Sequence, residues 1–423
     1  MSHTVQPRSA RRRPVEDFNL PEHELRARLV AGTHRRRLIA YLGANLYREL
    51  RALARRAAKA RSVPGKRAYV LPGIMGSRLG VPARGGRPEQ VIWIDPLTIE
   101  SGRLAQLALP ARRALRPLGV QLFKYLKLKL ALEIAGYQVD FHDYDWRQSI
   151  DVLGRELLAR LRRERVASIA LIAHSMGGLV ARAAMKEDRE GRIARLLMLA
   201  TPNYGSYAPV LALRGAYPPV RRIAQLDHLH DAETHAQHVF ATFPGLYQLL
   251  PAAERLHAVD LYDPATWPRD VRAPRRALLD RARVIRERLA APDARCTSIV
   301  GTDQPTITGL ALRDGAFRYE VTNAGDGTVP TELALLDGVN TYFIRDDHSE
   351  LPHNSAVVAA VLDLLESGAT RRLARHASYG AGSPLVLTER DFRADDSSKH
   401  DWRRMTLAER HHLLAGVVFP ILV

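Results

Sequence analysis

The stretch LIAHSMGGLVARA, Leu171 to Ala183, decides how this chain is read. Leu171, Ile172 and Ala173 read as the end of a buried strand, and Leu179 to Met185 as a helix with small residues on its inner face. The chain must reverse between them within four residues. A serine at such a turn projects its hydroxyl outward, while the first amides of the next helix point back at it. Ala173 to Gly177 matches G-x-S-x-G with alanine in the first place, the pattern of a nucleophile elbow. Ser175 is expected in a strained turn, and Gly177 and Gly178 where helix and strand approach closely. His174 is expected to point away from the hydroxyl and to pack.

Outward from the elbow, apolar runs alternate with helical stretches. The runs are Ala68–Leu71, Tyr137–Phe141, Ser168–Ala173, Arg195–Ala200, Thr297–Val300 and Thr341–Ile344. Helical periodicity marks Phe123–Ala135, Val152–Arg165 and Ser355–Leu365. Such alternation predicts an α/β protein with a mostly parallel, doubly wound sheet. The alternation stops between Ser206 and Ala291, where proline and histidine are scattered. The predicted organisation is a basic, partly helical extension over 1–62, with residues 1–20 disordered. An α/β-hydrolase domain over 63–370 follows, carrying a helical cap or lid inserted at about 206–291, and then a tail over 371–423. No internal repeat is present.

Apolar residues make up 46% of the 423, enough for a large core, and the one cysteine, Cys296, excludes an intrachain disulfide. The first residues are basic, but no apolar segment of signal-peptide type follows them. The longest apolar stretch, LLAGVVFPILV, is too short to span a bilayer and contains Pro420. A cytoplasmic protein, or one peripheral to a membrane, is expected. The net charge of +18 is uneven: up to Arg67, 17 Arg and Lys face 5 Asp and Glu, so that segment holds +12. Within it, Leu46, Leu50, Leu53 and Ala57 share one helical face, and Arg48, Arg51, Arg55 and Lys59 the opposite one. That basic face is either simply solvated or drawn to anionic lipid headgroups. Nucleic acid is not an expected partner, since no binding motif accompanies the charge and aromatics are 6%. The histidines form no H-E-x-x-H and a lone cysteine cannot build a cysteine zinc site, so no metal or cofactor is expected.

A serine needs a base to take its proton and a carboxylate to hold that base. On this fold they should follow in the order serine, acid, histidine. His348 follows the strand TYFI within four residues, which favours it over His353, beside Pro352 and further from the strand end. Two carboxylates compete. Asp326 lies in NAGDGTVP between Gly325 and Gly327, in a loop tight enough to aim it. Asp303 directly follows a strand in VGTDQPT.

Several separate motifs then coincide: YVLPGIMGSRL at the first strand, YDWR at Tyr144–Arg147, AHSMGG at the elbow, ATPNYGS at Ala200–Ser206, FPGLYQLLP at Phe243–Pro251 and GDGTVP at Gly325–Pro330. Over roughly residues 68–366 the chain resembles the lecithin:cholesterol acyltransferase family, which includes phospholipases and acyltransferases with phospholipid donors. The resemblance implies Asp326 as the acid and the amide of Ile74 as an oxyanion donor. It also implies a serine-dependent lipid acyl hydrolase or O-acyltransferase. The chain departs from the animal enzymes in lacking cysteines for a disulfide-closed lid, and in adding the basic extension.

The residues of LPGIMGS have their own logic. Acyl transfer passes through an oxyanion that needs two N–H donors. The amide of Met176, following the serine, is one. Gly73 and Gly76 allow the backbone at Ile74 and Met75 to turn a second inward, and both side chains would line an acyl pocket. Trp93 is placed against the acyl chain or in the core. Asp145, Trp146 and Arg147 are expected to brace the cleft. A small-ester carboxylesterase would use the same triad; a hydrolase fold serving only as a binding protein would usually have lost one of its members.

Overall fold

The structure is a computed structural model describing residues 19–418 apart from 86–88, 112, 257, 381 and 394–397. The expected disorder over residues 1–20 falls mainly outside the described residues; Asn19 and Leu20 are already buried. Among the described residues no helix is long and apolar enough to cross a membrane.

The centre is a six-stranded sheet of β1 (Arg67–Leu71), β2 (Gln138–Phe141), β3 (Ile169–His174), β4 (Ile193–Leu199), β5 (Cys296–Thr302) and β6 (Asn340–Arg345). Its order is β6-β5-β4-β3-β1-β2 and every pairing is parallel. Successive side chains of a strand point to opposite faces, so a sheet covered on both sides needs apolar residues at every position. That explains the unbroken runs. Tyr69, Leu71, Leu171, Ala173, Leu196 and Met198 face the helices Ile150–Leu161 and Met176–Glu187. Their alternates Ala68, Val70, Ala170, Ile172, Leu197 and Leu199 face Leu122–Ile134 and Ser355–Ser367. The fold is the expected α/β-hydrolase architecture. Two small antiparallel sheets were not legible as separate units: Ser77–Val81 with Gln90–Trp93 and Arg116–Val120, and Thr306–Arg313 with Ala316–Thr322 and Leu385–Thr388.

The basic extension folds into the helices Glu22–Ala31, Arg35–Leu42 and Ala44–Ala57, whose Leu25, Leu29, Leu38 and Leu50 join the second core. They cover the helix Leu122–Ile134, which buries Lys124, Lys127 and Lys129. A buried ammonium needs a partner. Lys127 Nζ lies 2.6 Å from Glu49 and Lys129 Nζ 2.7 Å from Glu22, so acidic residues of the extension turn inward. The outward stripe differs from the expected one. Arg48, Arg55, Arg56 and Lys59 are exposed, but Arg51 is only half-exposed because its guanidinium lies over Gly32. Tyr47 and Ala54 are buried on the inner face, where Leu46 and Leu53 are only partly buried.

Between β4 and β5 stand the short helices Ala208–Leu213, Pro218–Leu226, Ala232–His238 and Arg276–Arg283. Residues read as a tail return to the body instead. Leu385–Thr388 pairs with Ala316–Thr322, Trp402 is buried, and the helix Leu407–Val418 packs on Pro218–Leu226. Their polar spacing hid this docking, because only a few anchors are apolar.

Candidate active site

The reversal at the elbow is as tight as its sequence requires. Ser175 has φ 54° and ψ −128°, a conformation costly for a residue with a Cβ, and its N–H donates to Leu199 O at 2.8 Å. The helix then starts so close to β4's end that a Cβ on Gly178 would stand 2.0 Å from Thr201 Oγ1. Across the cleft, a Cβ on Gly73 would stand 2.8 Å from the Cβ of Ser175.

Three sequence-predicted side chains meet here. Ser175 Oγ lies 2.9 Å from His348 Nε2, and His348 Nδ1 lies 2.8 Å from Asp326 Oδ2. They come from the ends of β3 and β6 and from the loop beyond the hairpin that follows β5. Asp326 is 1% exposed, and its Oδ1 accepts the N–H groups of Thr328 at 3.0 Å and Val329 at 2.7 Å. The turn rests on Gly327, whose φ is 87°. The rivals are engaged elsewhere. Asp303 Oδ1 accepts Gly380 N–H at 2.6 Å and its Oδ2 lies 3.5 Å from Arg345. His353 Nε2 lies 2.7 Å from Glu350. This chain of hydrogen bonds is the arrangement in which an imidazole can draw a proton from a hydroxyl while a carboxylate fixes its tautomer.

The opposite wall is LPGIMGS. Met75 takes φ 61°, and its carbonyl accepts from Trp93 Nε1 at 2.8 Å and Gln121 Nε2 at 2.7 Å. Two side-chain donors thus fix the Met75–Gly76 peptide, two peptide units beyond the one that carries the Ile74 N–H. Among the described residues, neither Ile74 N–H nor Met176 N–H donates to a protein acceptor. Of the two places expected for Trp93, the structure gives the core one: it is fully buried against Trp146, at the edge of the cleft lining. The YDWR residues brace the wall. Arg147 holds Asp145 at 2.7 Å and Leu107 O at 2.7 Å, Trp146 Nε1 donates to Ser77 O, and Tyr144 Oη to Pro72 O.

His174 does more than pack. Its Nε2 is 2.9 Å from His348 O, a carbonyl that can only accept, so Nε2 carries the proton. Nδ1 is therefore the acceptor of the Tyr125 hydroxyl at 3.0 Å. Tyr125 Oη in turn accepts Gly73 N–H at 3.0 Å. Burial first, and then the neighbouring His348, hold the His174 imidazole well below its usual range, which keeps it neutral. Burial likewise raises the Tyr125 hydroxyl. This network ties the wall before Ile74 to the backbone of His348, and the sequence showed no signal for it beyond an apolar helix containing one tyrosine. Tyr125→Phe leaves Gly73 N–H and His174 Nδ1 buried without partners, at a cost of about 1–3 kcal/mol. It is expected to lower kcat roughly ten- to a hundredfold with little change in KM. Steady-state kinetics on a soluble ester beside a thermal melt check this; a changed melt with unchanged kcat would leave Tyr125 a purely structural role.

The triad opens on a narrow cleft whose wall is mostly apolar, with Ile74, Met75, Trp93, Leu246, Leu249 and Val329 among its lining. The cap adds Ala208, Pro209, Ala212, Tyr217 and Pro219, and the C-terminal helix adds Val417. Ser175 is only 5% exposed beneath this cover.

A PGAP1-like alpha/beta domain matches residues 115–217, the interval from before β2 through the elbow into the cap. No curated protein matches the chain. Among solved structures it is similar to Tle4 from the Tle4–Tli4 complex, at 16% identity over 70% of this chain and 97% of that one, TM-score 0.41. It is also similar to the mature form of Bacillus licheniformis lipase BlEst2, at 14% identity over 72% and 94% of the two chains, TM-score 0.37. The propeptide form of that lipase aligns at 14% identity over 75% and 53%, TM-score 0.39.

Proposed function

We propose that this protein is a serine-dependent acyl hydrolase or O-acyltransferase of lipid esters, of the lecithin:cholesterol acyltransferase type. The observation that carries the reading is the hydrogen-bonded row Ser175–His348–Asp326 opening into an apolar cleft. Ser175 Oγ attacks the ester carbonyl as His348 Nε2 takes its proton. Asp326 holds the imidazole and stabilises its positive charge. The Ile74 and Met176 amides receive the oxyanion. The tetrahedral intermediate collapses, the C–O bond breaks, and His348 returns the proton to the leaving alcohol. Water, or an acceptor alcohol, then repeats the sequence on the acyl-enzyme and frees Ser175. The motifs shared with that family line this cleft or brace it, and this supports a lipid rather than a small polar ester.

The cover over Ser175 supports a lid that opens at an interface, built from the segment between Ser206 and Pro251. The exposed Arg48, Arg55, Arg56 and Lys59 supply attraction to anionic headgroups that salt screens. Fluorophosphonate labelling of Ser175 in one sample, and labelled phospholipid with and without a lipid alcohol given to unlabelled protein in another, test the reaction: release of fatty acid or transfer of the acyl group by the unlabelled protein supports it, and neither overturns it. Activity on a short-chain ester is expected to jump as the substrate passes its solubility limit. Activity on anionic vesicles is expected to exceed that on zwitterionic ones at low salt and to lose this advantage at high salt. Smooth saturation and indifference to headgroup charge would replace the lipid reading with a soluble-ester hydrolase.

A further inference from the structure

A second cluster of reactive side chains lies in the cap, outside the Ser175 cleft. Asp227 follows the helix Pro218–Leu226, and His235 sits in the next helix, Ala232–His238, with His230 in the loop between. Asp227 is completely buried and His235 is 1% exposed; His230 reaches solvent. The carboxylate is divided by function. Its Oδ1 accepts two backbone N–H groups, of Leu229 at 2.8 Å and His230 at 3.0 Å. Its Oδ2 faces two imidazoles, 3.0 Å from His230 Nδ1 and 3.0 Å from His235 Nε2. The three donor atoms all lie within 4.8 Å of one another.

The second of these contacts is close but misdirected. His235 Nε2 is buried and makes no hydrogen bond of proper geometry. A buried imidazole nitrogen left in that state is costly. A cation placed among the donors would take the lone pairs of both rings and of Oδ2 together. Tetrahedral zinc, with ligands at about 2.0–2.2 Å, spaces its donors roughly 3.3 Å apart, within a few tenths of an ångström of the two distances here. The backbone around the cluster is already fixed: Lys399 Nζ donates to Ala224 O, Asp227 O and His230 O at 2.8, 2.7 and 2.9 Å. Asp231 caps the second helix by accepting Thr234 N–H at 2.7 Å. The loop that carries the three side chains is therefore held in place, with their donor atoms within 4.8 Å of one another.

We infer that Asp227, His230 and His235 bind a divalent transition-metal ion of the zinc class, with water in the fourth position on the exposed side of His230. Two imidazoles and one carboxylate are donors suited to such an ion rather than to calcium or magnesium. The site carries no standard zinc signature, since its ligands follow the spacing D-x-x-H-x-x-x-x-H across a helix break. Its effect follows from its place. Tyr217 and Pro219, at the other end of the first helix, line the Ser175 cleft. The ion clips the two cap helices together and so steadies the cleft's cover.

The test uses the full chain without a histidine tag, and zinc itself as the probe. Elemental analysis after gel filtration in zinc-containing buffer is expected to give about one zinc per chain, and His230→Gln or His235→Gln less than about a tenth of that. Asp227→Asn keeps the backbone acceptor and is expected to lose zinc likewise. Chelator is expected to lower the wild-type melting temperature by roughly 3–5 °C and to leave that of His230→Gln unmoved. Circular dichroism confirms that the variants compared are folded, and His230, being partly exposed, is the one least at risk. Less than about a tenth of a zinc per wild-type chain, with no binding tighter than about 100 µM in titration of the chelator-treated protein, overturns the site. Equal zinc retention by folded variants overturns it as well.

Discussion

Ser175→Ala is expected to abolish ester turnover, by about a millionfold in kcat, while the protein stays folded. The hydroxyl makes one side-chain hydrogen bond, to His348, at a position that faces the cleft. Removing it costs about 1 kcal/mol at most. The strained φ of 54° is common to serine and alanine, so the elbow keeps its geometry. Chemistry, by contrast, loses its attacking atom, and the amides of Ile74 and Met176 are left with no covalent intermediate to stabilise. Initial rates on a soluble chromogenic ester, with a thermal melt of the same sample, decide the matter. A folded variant retaining more than about a hundredth of the wild-type rate places the nucleophile elsewhere.

Asp326→Asn is expected to lower kcat by about ten-thousandfold without unfolding the chain. The structure states why an isosteric change does so much. Oδ1 is held by the N–H groups of Thr328 and Val329, so the asparagine must keep its carbonyl oxygen there. Its NH2 then faces His348 Nδ1. That nitrogen can only accept from it, which moves the ring proton to Nε2, against Ser175. The imidazole can no longer act as a base. Asp303→Asn is the control: its partners are Gly380 N–H and a guanidinium at the surface, and a change below about twofold in kcat is expected, with a stability loss near 1 kcal/mol. The reverse ranking in kcat would transfer the acid role to Asp303.

The two carboxylates also mark how far the residues alone could be read. Both follow strand-like runs and both sit in turns with small or polar neighbours. Local chemistry cannot separate them, because the choice depends on which loop folds back over the end of β5 towards β6. The isolated pairing of Gln304 with Asp326 and the bond from His348 N–H to Asp326 O bring that loop there. Only the resemblance to a family favoured Asp326 beforehand. His348 was easier, since a base carried just beyond the last strand of the sheet has few places to lie.

His174, Tyr125 and Arg51 show the same limit from the other side. By type and period they are a packing histidine, one residue of an apolar helix and one residue of a basic stripe. The histidine and tyrosine instead join the wall before Ile74 to the backbone of His348, and the arginine lies over Gly32. A polar atom buried at a long sequence distance from its partner leaves no periodic trace. The docking of residues after 371 escaped for a related reason, since Trp402 and a four-residue strand are too sparse a pattern to announce a buried surface.

By itself the sequence determined the sheet and the elbow. Six apolar runs appear as six strands within a few residues, because a strand buried on both faces must be apolar throughout and a helix covering it must be so on one side. Ser175 was determined with them, because a four-residue reversal tolerates few residue types. The tertiary structure alone decided which carboxylate meets His348, what holds the wall at Ile74, what roofs the cleft and which side chains meet at Asp227. These are contacts between segments tens to hundreds of residues apart, and they are set by how the loops at the carboxyl ends of the strands pack on one another rather than by any local preference of the residues that make them.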